Sequence, residues 1–165
     1  MMTRSDPPRA SFVRELLPVW LVTAAWDAVC ATALGVFAYG ATPATVWQGV
    51  ASTVLGLPAL TGGATAVAAG LGLHMMVALA WSALFVIAGR AWPALRQAIR
   101  TPGGALAVAA VYGPAIWLVM SLMVIPIATG RPPRLGLRWW VQVGAHIPFV
   151  SIPLVFTARR VTMRS

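Results

Sequence analysis

The sequence predicts an all-α integral membrane protein: a four-helix transmembrane bundle with a short interfacial or re-entrant helix between spans 1 and 2. Hydrophobic residues make up 59% of its 165 residues and charged residues only 9%, unlike a soluble globular domain. Between Glu15 and Arg90 the only charged residue is Asp27, and residues 101–130 and 139–158 have none. Crossing the hydrocarbon core takes about 20 apolar residues. The expected spans are residues 15–39, 64–89, 104–128 and 139–158, and the expected short helix is 43–55.

The first span is preceded by a polar, proline-containing segment. We expect residues 1–13 to form a flexible cytoplasmic arm, residues 14–160 a single transmembrane domain, and residues 161–165 a cytoplasmic tail. The apolar core of the first span is longer than the roughly 7–15 residues of a signal peptide and contains Asp27, so we interpret it as a retained span. Its polar residues recur at helical spacing, which places them on one inward face.

The short helix has its own start and stop signals. Thr42 is a suitable N-cap, Pro43 suits the first helical position, and Gly56 followed by Pro58 ends the run. Thirteen residues give a helix of only about 20 Å at 1.5 Å per residue, too short to span. The alternatives are an interfacial or re-entrant helix and a packed lid over the bundle.

The second span repeats small residues at four-residue spacing. Small residues let helix backbones approach closely in lipid, where little hydrophobic force acts between helices. We therefore expect a helix-packing seam, with His74 on its continuation where another helix comes close. The residues assigned to the seam are Gly62, Ala66, Gly70 and Gly72.

Prolines interrupt the third and fourth spans. Pro114 and Pro126 lie in the third, and Pro148 and Pro153 in the fourth. Each removes an amide donor and frees the carbonyl four residues earlier, which predicts kinks and exposed polar backbone at depth. We expect Tyr112 and Ser121 of the third span to satisfy such groups.

The net charge of +9 comes from arginines at the ends of the apolar runs. This distribution favours membrane topology over a nucleic-acid partner. Nine arginines flank the termini and the 90–103 loop, and three lie in the loop after the third span. By the positive-inside rule, both termini face the cytoplasm.

Three ionisable residues lie near the centres of three spans: Asp27, His74 and His146. Intramembrane ionisable residues are costly and usually pair or line ion and substrate paths. We expect a binding site or proton relay for a proton or a small polar solute, which in so small a chain would require a homo-oligomer in the lipid bilayer. The expected site residues are Asp27, His74, His146, Gln142, Tyr112 and Ser121.

Two other interpretations of this cluster stay open. His74 and His146 on different helices could ligate a b-type haem, or a divalent metal ion together with Asp27. Alternatively the polar residues only pair and fix helix register, which is a purely structural role. An enzyme is less expected, because the chain has no GxSxG, P-loop or dinucleotide motif.

The segments VWQGVASTVLG, TGGATAVAAGLGLHMM and VYGPAIWLVM, with the Trp-Asp pair of the first span and Pro126, carry a resemblance. Over residues 20–126 the chain resembles an uncharacterised family of small four-helix bacterial inner-membrane proteins. The resemblance implies a multi-pass protein of the bacterial cytoplasmic membrane. It implies no reaction or ligand.

Overall fold

The computed structural model describes residues 8–163, with side chains from Ser11 onward, and within them all regular secondary structure is helical. The first half of the chain forms α1, Pro8–Ala33 with a π-helical turn at Leu34–Ala38; α2, Pro43–Leu55, followed by a 3-10 turn at Leu57–Thr61; and α3, Gly63–Ala91. The second half forms α4, Pro93–Ala98; α5, Pro102–Val119 with a π-helical turn at Met120–Val124 and a last segment Ile125–Thr129; and α6, Leu137–His146 with a π-helical turn at Ile147–Ser151 and a last segment Ile152–Thr162.

Four of these helices are long and apolar enough to cross a membrane, as expected. They are Ser11–Ala38, Gly63–Ala91, Pro102–Thr129 and Leu137–Thr162. Large apolar side chains such as Trp26, Val29 and Phe37 of α1 point outward and are exposed. Such an outer surface suits lipid rather than water, so the chain has the character of a multi-pass membrane protein.

The outer boundaries differ from the expected ones. α1 begins at Pro8, so residues 8–13, which we expected in a flexible arm, are helical. The remainder of that arm, residues 1–7, lies outside the described residues. α6 continues to Thr162, into the expected tail. The expected 90–103 loop contains a short helix, the six-residue α4.

The ends of α2 follow from local side-chain chemistry and confirm the predicted helix 43–55. The Thr45 amide donates to the Thr42 hydroxyl at 3.1 Å, which satisfies one of the amides left unpaired at a helix start. At the other end Gly56 has φ of 75°, a conformation that residues with a Cβ rarely adopt. α2 therefore begins and ends independently of its tertiary contacts.

The prolines produce π-helical turns at two of the expected places. One turn, Met120–Val124, precedes Pro126, and another, Ile147–Ser151, contains Pro148 and precedes Pro153. A π-helical turn widens the helix and frees it from the regular i→i−4 pattern. Pro114 lies inside continuous α-helix, so no comparable turn forms there.

The helices pack closely at one end of the molecule. α1 packs against α3 and α6, α5 packs against α6, and α2 packs against α3. At the end where α1 begins and α6 finishes, apolar side chains from four helices and from the turn after α4 form a contiguous core, which we call the packed end. Its buried members are Val19, Phe85, Val86, Ile99, Ala105, Ala109, Leu154, Val155 and Ala158.

Candidate functional site

Beyond the packed end, the helices enclose a cavity of about 270 Å³. It is lined by side chains from α1, α2, α3, α5 and α6, and most of them are apolar. The cavity has room for several water molecules or a small solute. Asp27, His74 and His146 all line it, so the three ionisable residues expected at one depth meet at one site.

The cavity lies where α3 and α5 are held apart. These helices are bridged by Tyr112 of α5, whose hydroxyl donates to the Trp81 carbonyl of α3 at 2.8 Å. The same phenol ring contacts Phe85 and Trp81 edge-on or tilted. An aromatic side chain therefore fills the space between the helices at the packed end, and the space beyond it remains open.

Reciprocal hydrogen bonds fix His74 against α1. The Trp20 indole N–H donates to the Met75 carbonyl at 2.9 Å, and His74 Nε2 lies 3.1 Å from the Ala24 carbonyl oxygen. The indole of Trp47 from α2 meets the imidazole edge-on, at a ring-centroid distance of 5.3 Å. His74 is thus held by two neighbouring helices, as its position on the second span predicted.

Asp27 and His74 form an ion-pair contact inside the cavity. His74 Nδ1 lies 3.8 Å from Asp27 Oδ2, and the two side chains are 12% and 27% exposed. This separation suits a charge interaction but exceeds the length of a hydrogen bond. A small side-chain movement would bring the two atoms into hydrogen-bond contact.

The hydrogen bond on the far side of His74 determines where its proton lies. A carbonyl oxygen only accepts, so His74 Nε2 donates to Ala24. In a neutral imidazole, Nδ1 then has a lone pair facing Asp27, which is favourable only when the carboxyl is protonated. In the imidazolium, Nδ1 donates toward an ionised carboxylate. Both favourable states place one proton between the two side chains.

His146 is oriented by its own helix. Its Nδ1 donates to the Gln142 carbonyl at 2.7 Å, which leaves Nε2 as the acceptor of a neutral ring. The ring packs at 4.9 Å and a tilt of 44° against Trp117.

Polar atoms without partners also occur in the cavity wall. Among the described residues, the Thr23 hydroxyl and the Trp117 indole N–H make no hydrogen bond, and both residues line the cavity. Unpaired buried polar groups are costly. The cavity wall therefore contains polar groups that no other described residue hydrogen-bonds.

The other expected site residues, Tyr112, Ser121 and Gln142, do not line the cavity. Tyr112 and Ser121 were expected to satisfy carbonyls freed by the prolines of α5. Instead Tyr112 binds Trp81 of α3, and Ser121 accepts a hydrogen bond from the Trp139 indole at 3.0 Å. The Gln142 backbone carbonyl accepts the hydrogen bond from His146. Gln142 also lines a small cavity of about 20 Å³ beside Asp27.

Ser151 is a buried hydroxyl donor between α5 and α6 that sequence reasoning missed. Its hydroxyl lies 2.6 Å from the Ala109 carbonyl of α5, with the His146 and Ile147 carbonyls also within reach. Opposite it, a Cβ on Gly113 would lie 2.6 Å from the His146 carbonyl oxygen. Pro148 and Pro153 free the carbonyls of Gly144 and Phe149, which Ser151 does not contact, so the sequence held no specific signal for this donor.

The small-residue seam forms only in part, and its partner is α2. Gly70 is buried, and a Cβ there would overlap the Trp47 carbonyl oxygen. Ala66 packs with Ala51 and Ala59. A Cβ on Gly72 would meet no atom within 4 Å, because the four-residue repeat that contains Gly70 turns Gly72 to the exposed side. Gly62 precedes α3 and is exposed, so both belong outside the seam.

Within residues 8–163, no group of three His, Cys, Asp or Glu side chains is close enough to hold a metal ion. The metal-binding alternative with Asp27 as third ligand therefore lacks a formed ligand set in this part of the chain. Each histidine does donate one ring N–H to a backbone carbonyl, as metal-ligating histidines commonly do.

Comparisons of the chain with protein-family models, curated proteins and solved structures give no match. The resemblance to a family of small four-helix membrane proteins therefore stays a prediction, and the function is inferred from the geometry of the cavity.

Proposed function

We propose that this chain is a small bacterial inner-membrane protein that binds a proton together with a small polar solute in the cavity lined by Asp27, His74 and His146. One observation carries the proposal: three ionisable side chains from three helices line a single cavity. Intramembrane acids and histidines that meet in a cavity commonly mark ion or substrate paths. A single paired carboxylate would be enough to fix the register of the helices, so three ionisable side chains exceed what a structural role needs.

The proton arrangement at Asp27 supports a proton-binding role. The pair holds one proton in either favourable state, and the two side chains form no short hydrogen bond with each other that would lock it. A second proton would protonate both groups, and removal of the first would set a lone pair against a carboxylate. The site therefore changes charge when it gains or loses a proton, and a change of charge inside a low-dielectric cavity alters what the cavity binds.

The solute is expected to be small, polar and able to both donate and accept. His146 Nε2 is the acceptor of a neutral ring, and the Trp117 indole is a donor in the same wall that lacks a partner among the described residues. A molecule that pairs with both would offset the cost of leaving them unsatisfied. The apolar remainder of the wall selects against large or highly charged solutes.

The proposed membrane arrangement is a four-helix bundle with cytoplasmic termini. The arginines Arg96, Arg100 and Arg159 cluster at the packed end, and the positive-inside rule places that end in the cytoplasm. α2 then lies on the outer side, where Val50, Thr53 and Val54 wall the cavity. We propose a re-entrant helix that acts as the cavity's outer cover.

A homo-oligomer completes the proposal. A single cavity among four spans gives a solute only one partly open side, and the apolar outer face of α1, with Trp26 and Val29 exposed, offers a surface for a second copy in the bilayer. Packing of such faces between copies relies on shape and dispersion contacts rather than on the hydrophobic effect.

The proposal is tested in liposomes that contain the purified full-length protein. Proton entry is followed with an internal pH-sensitive dye, and uptake of glycerol and urea is followed by light scattering. We expect protein-dependent flux that falls at least tenfold in Asp27→Asn and His74→Gln. Glu15→Gln is the matched control, because it removes an acid that pairs with Arg90 at the far end, and it should keep full flux.

A folded Asp27→Asn variant with unchanged flux would remove Asp27 from the mechanism and favour the purely structural interpretation. The haem or metal alternative has its own readout. A visible absorption band or a stoichiometric metal content in the purified protein, lost in His146→Gln, would replace the solute proposal.

A further inference from the structure

A second cavity, separate from the proposed solute site, lies at the packed end where α4 meets the last turns of α6. It has a volume of about 460 Å³. Three arginines line it, Arg96, Arg100 and Arg159, and we call it the arginine pocket. Ile99, Thr162 and Met163 form the remainder of its wall.

The base of the arginine pocket is fixed by hydrogen bonds. Arg159 donates from Nε and Nη2 to the Arg100 carbonyl, at 3.2 and 3.0 Å. This contact ties the end of α6 to the turn after α4 and uses only part of the guanidinium, which has five N–H donors. Ile99 is buried beneath the turn, so the backbone that presents the arginines is held on both sides.

The described lining of the arginine pocket contains no acidic side chain, and Glu15 and Arg96 line a neighbouring cavity. Glu15 pairs with Arg90 through two hydrogen bonds of 3.1 and 3.0 Å, and Asp27 lies in the solute cavity. No acidic side chain among residues 11–163 pairs with Arg96 or Arg100. Several arginines gathered around one concavity repel each other unless an anion lies between them.

The surroundings of the pocket indicate which anion. Trp92, at the start of α4, is 64% exposed, and Met163 on the pocket wall is 53% exposed. Tryptophan favours the headgroup level of a bilayer, so the pocket opens at the depth of lipid phosphates, with apolar side chains beside it for the acyl chains. Basic pockets between membrane helices commonly bind anionic headgroups.

From these observations we propose that the arginine pocket binds the phosphate of an anionic phospholipid, with Arg96 and Arg100 as its principal contacts. The bound lipid would join α4 to α6 at the packed end. This binding site is independent of the solute cavity, and its failure would leave the proposed function untouched.

The experiment titrates detergent-solubilised full-length protein with phosphatidylglycerol, with phosphatidylcholine of the same acyl chains, and with inorganic phosphate. Binding is measured by native mass spectrometry and by the shift of the thermal unfolding midpoint. We expect phosphatidylglycerol to bind at least tenfold more tightly than phosphatidylcholine. We also expect the difference to shrink as NaCl is raised, since salt screens exposed charges.

The double variant Arg96→Gln/Arg100→Gln should bind phosphatidylglycerol about twenty-fivefold more weakly, from about fivefold per arginine at a membrane surface. Both side chains are exposed, so their replacement should leave the fold intact. The matched control Arg131→Gln/Arg134→Gln removes the same charge from exposed positions in the other arginine-containing loop and should change binding less than twofold.

Equal binding of the two lipids by the unmodified protein would overturn the proposal. So would an equal loss in the control variant, which would indicate a general charge effect. Displacement of phosphatidylglycerol by millimolar inorganic phosphate would assign the pocket to a soluble anion and would overturn the lipid assignment as well.

Discussion

The packed end and the solute cavity are built from the same helices in opposite ways. At the packed end, Val19, Leu154 and Val155 are fully buried at 0% exposure and Phe85 at 2%. Around the cavity, the same helices contribute Asp27, His74 and His146, and small residues where they approach closely. The packed end has a buried apolar core, bordered by a cavity of about 310 Å³ at Glu15, Arg90 and Arg96. The solute cavity instead places ionisable side chains in an otherwise apolar wall.

The difference shows where the stability of this protein resides. Lipid tails are as apolar as the side chains, so burial from water adds little between spans, and dispersion contacts have to hold the helices together. A cavity lined with unpaired polar atoms gives up such contacts. Natural proteins keep costly arrangements of this kind mainly at functional sites, which is why the cavity, and not the packed end, is the candidate site.

Removal of a packed-end side chain should have the largest effect. Leu154 is completely buried, and Leu154→Ala should lower the free energy of unfolding by about 3 kcal/mol, because a large cavity remains. Denaturant unfolding followed by circular dichroism measures it. Leu118→Ala, at an outward position of α5, is the control and should change stability by less than about 1 kcal/mol. Equal losses in both would contradict a localised core.

The contact between α2 and α3 depends on Gly70. Gly70→Ala places a methyl group against the Trp47 carbonyl, which should cost about 2.5 kcal/mol by overpacking. Gly72→Ala adds the same methyl group to open space two residues away and should stabilise α3 by about 0.5–1 kcal/mol. Thermal unfolding of the Gly70→Ala and Gly72→Ala variants tests this difference. A neutral Gly70→Ala would show that α2 is not seated on α3.

Enlarging one alanine in each region distinguishes a filled space from an open one. Ala109→Leu at the packed end should cost about 2 kcal/mol, because its site is filled. Ala78→Leu on the cavity wall should change stability by less than about 1 kcal/mol and should reduce solute flux. Unfolding and flux assays on both proteins check this. A costly Ala78→Leu would mean that the cavity closes in the membrane.

The smallest effects concern single buried hydroxyls. Ser82 is completely buried and its hydroxyl has no hydrogen-bond partner among the described residues, so Ser82→Ala should raise stability by about 1 kcal/mol. Ser151→Ala removes the bond to the Ala109 carbonyl and should lower stability by about 1 kcal/mol. Opposite signs are the test, and a loss in both proteins would assign Ser82 a partner.

Local features of the fold could be predicted because they depend on neighbouring residues. Long apolar runs located the four spans, and Thr42, Pro43 and Gly56 located both ends of α2. The start of α1 was misplaced, because Pro7 and Pro8 suggest a flexible arm, whereas a proline at the first helical position is compatible with a helix.

The sequence by itself singled out Asp27, His74 and His146, since helical rise places them near the middle of their spans, but it did not single out Thr23 or Trp117 of the same cavity wall. Tertiary structure alone decided that Asp27 pairs with His74 at 3.8 Å, that Tyr112 binds α3, and that the seam includes Gly70 and excludes Gly72. Helical periodicity relates residues within one helix. Which faces meet depends on how side chains from distant parts of the chain fill shared space.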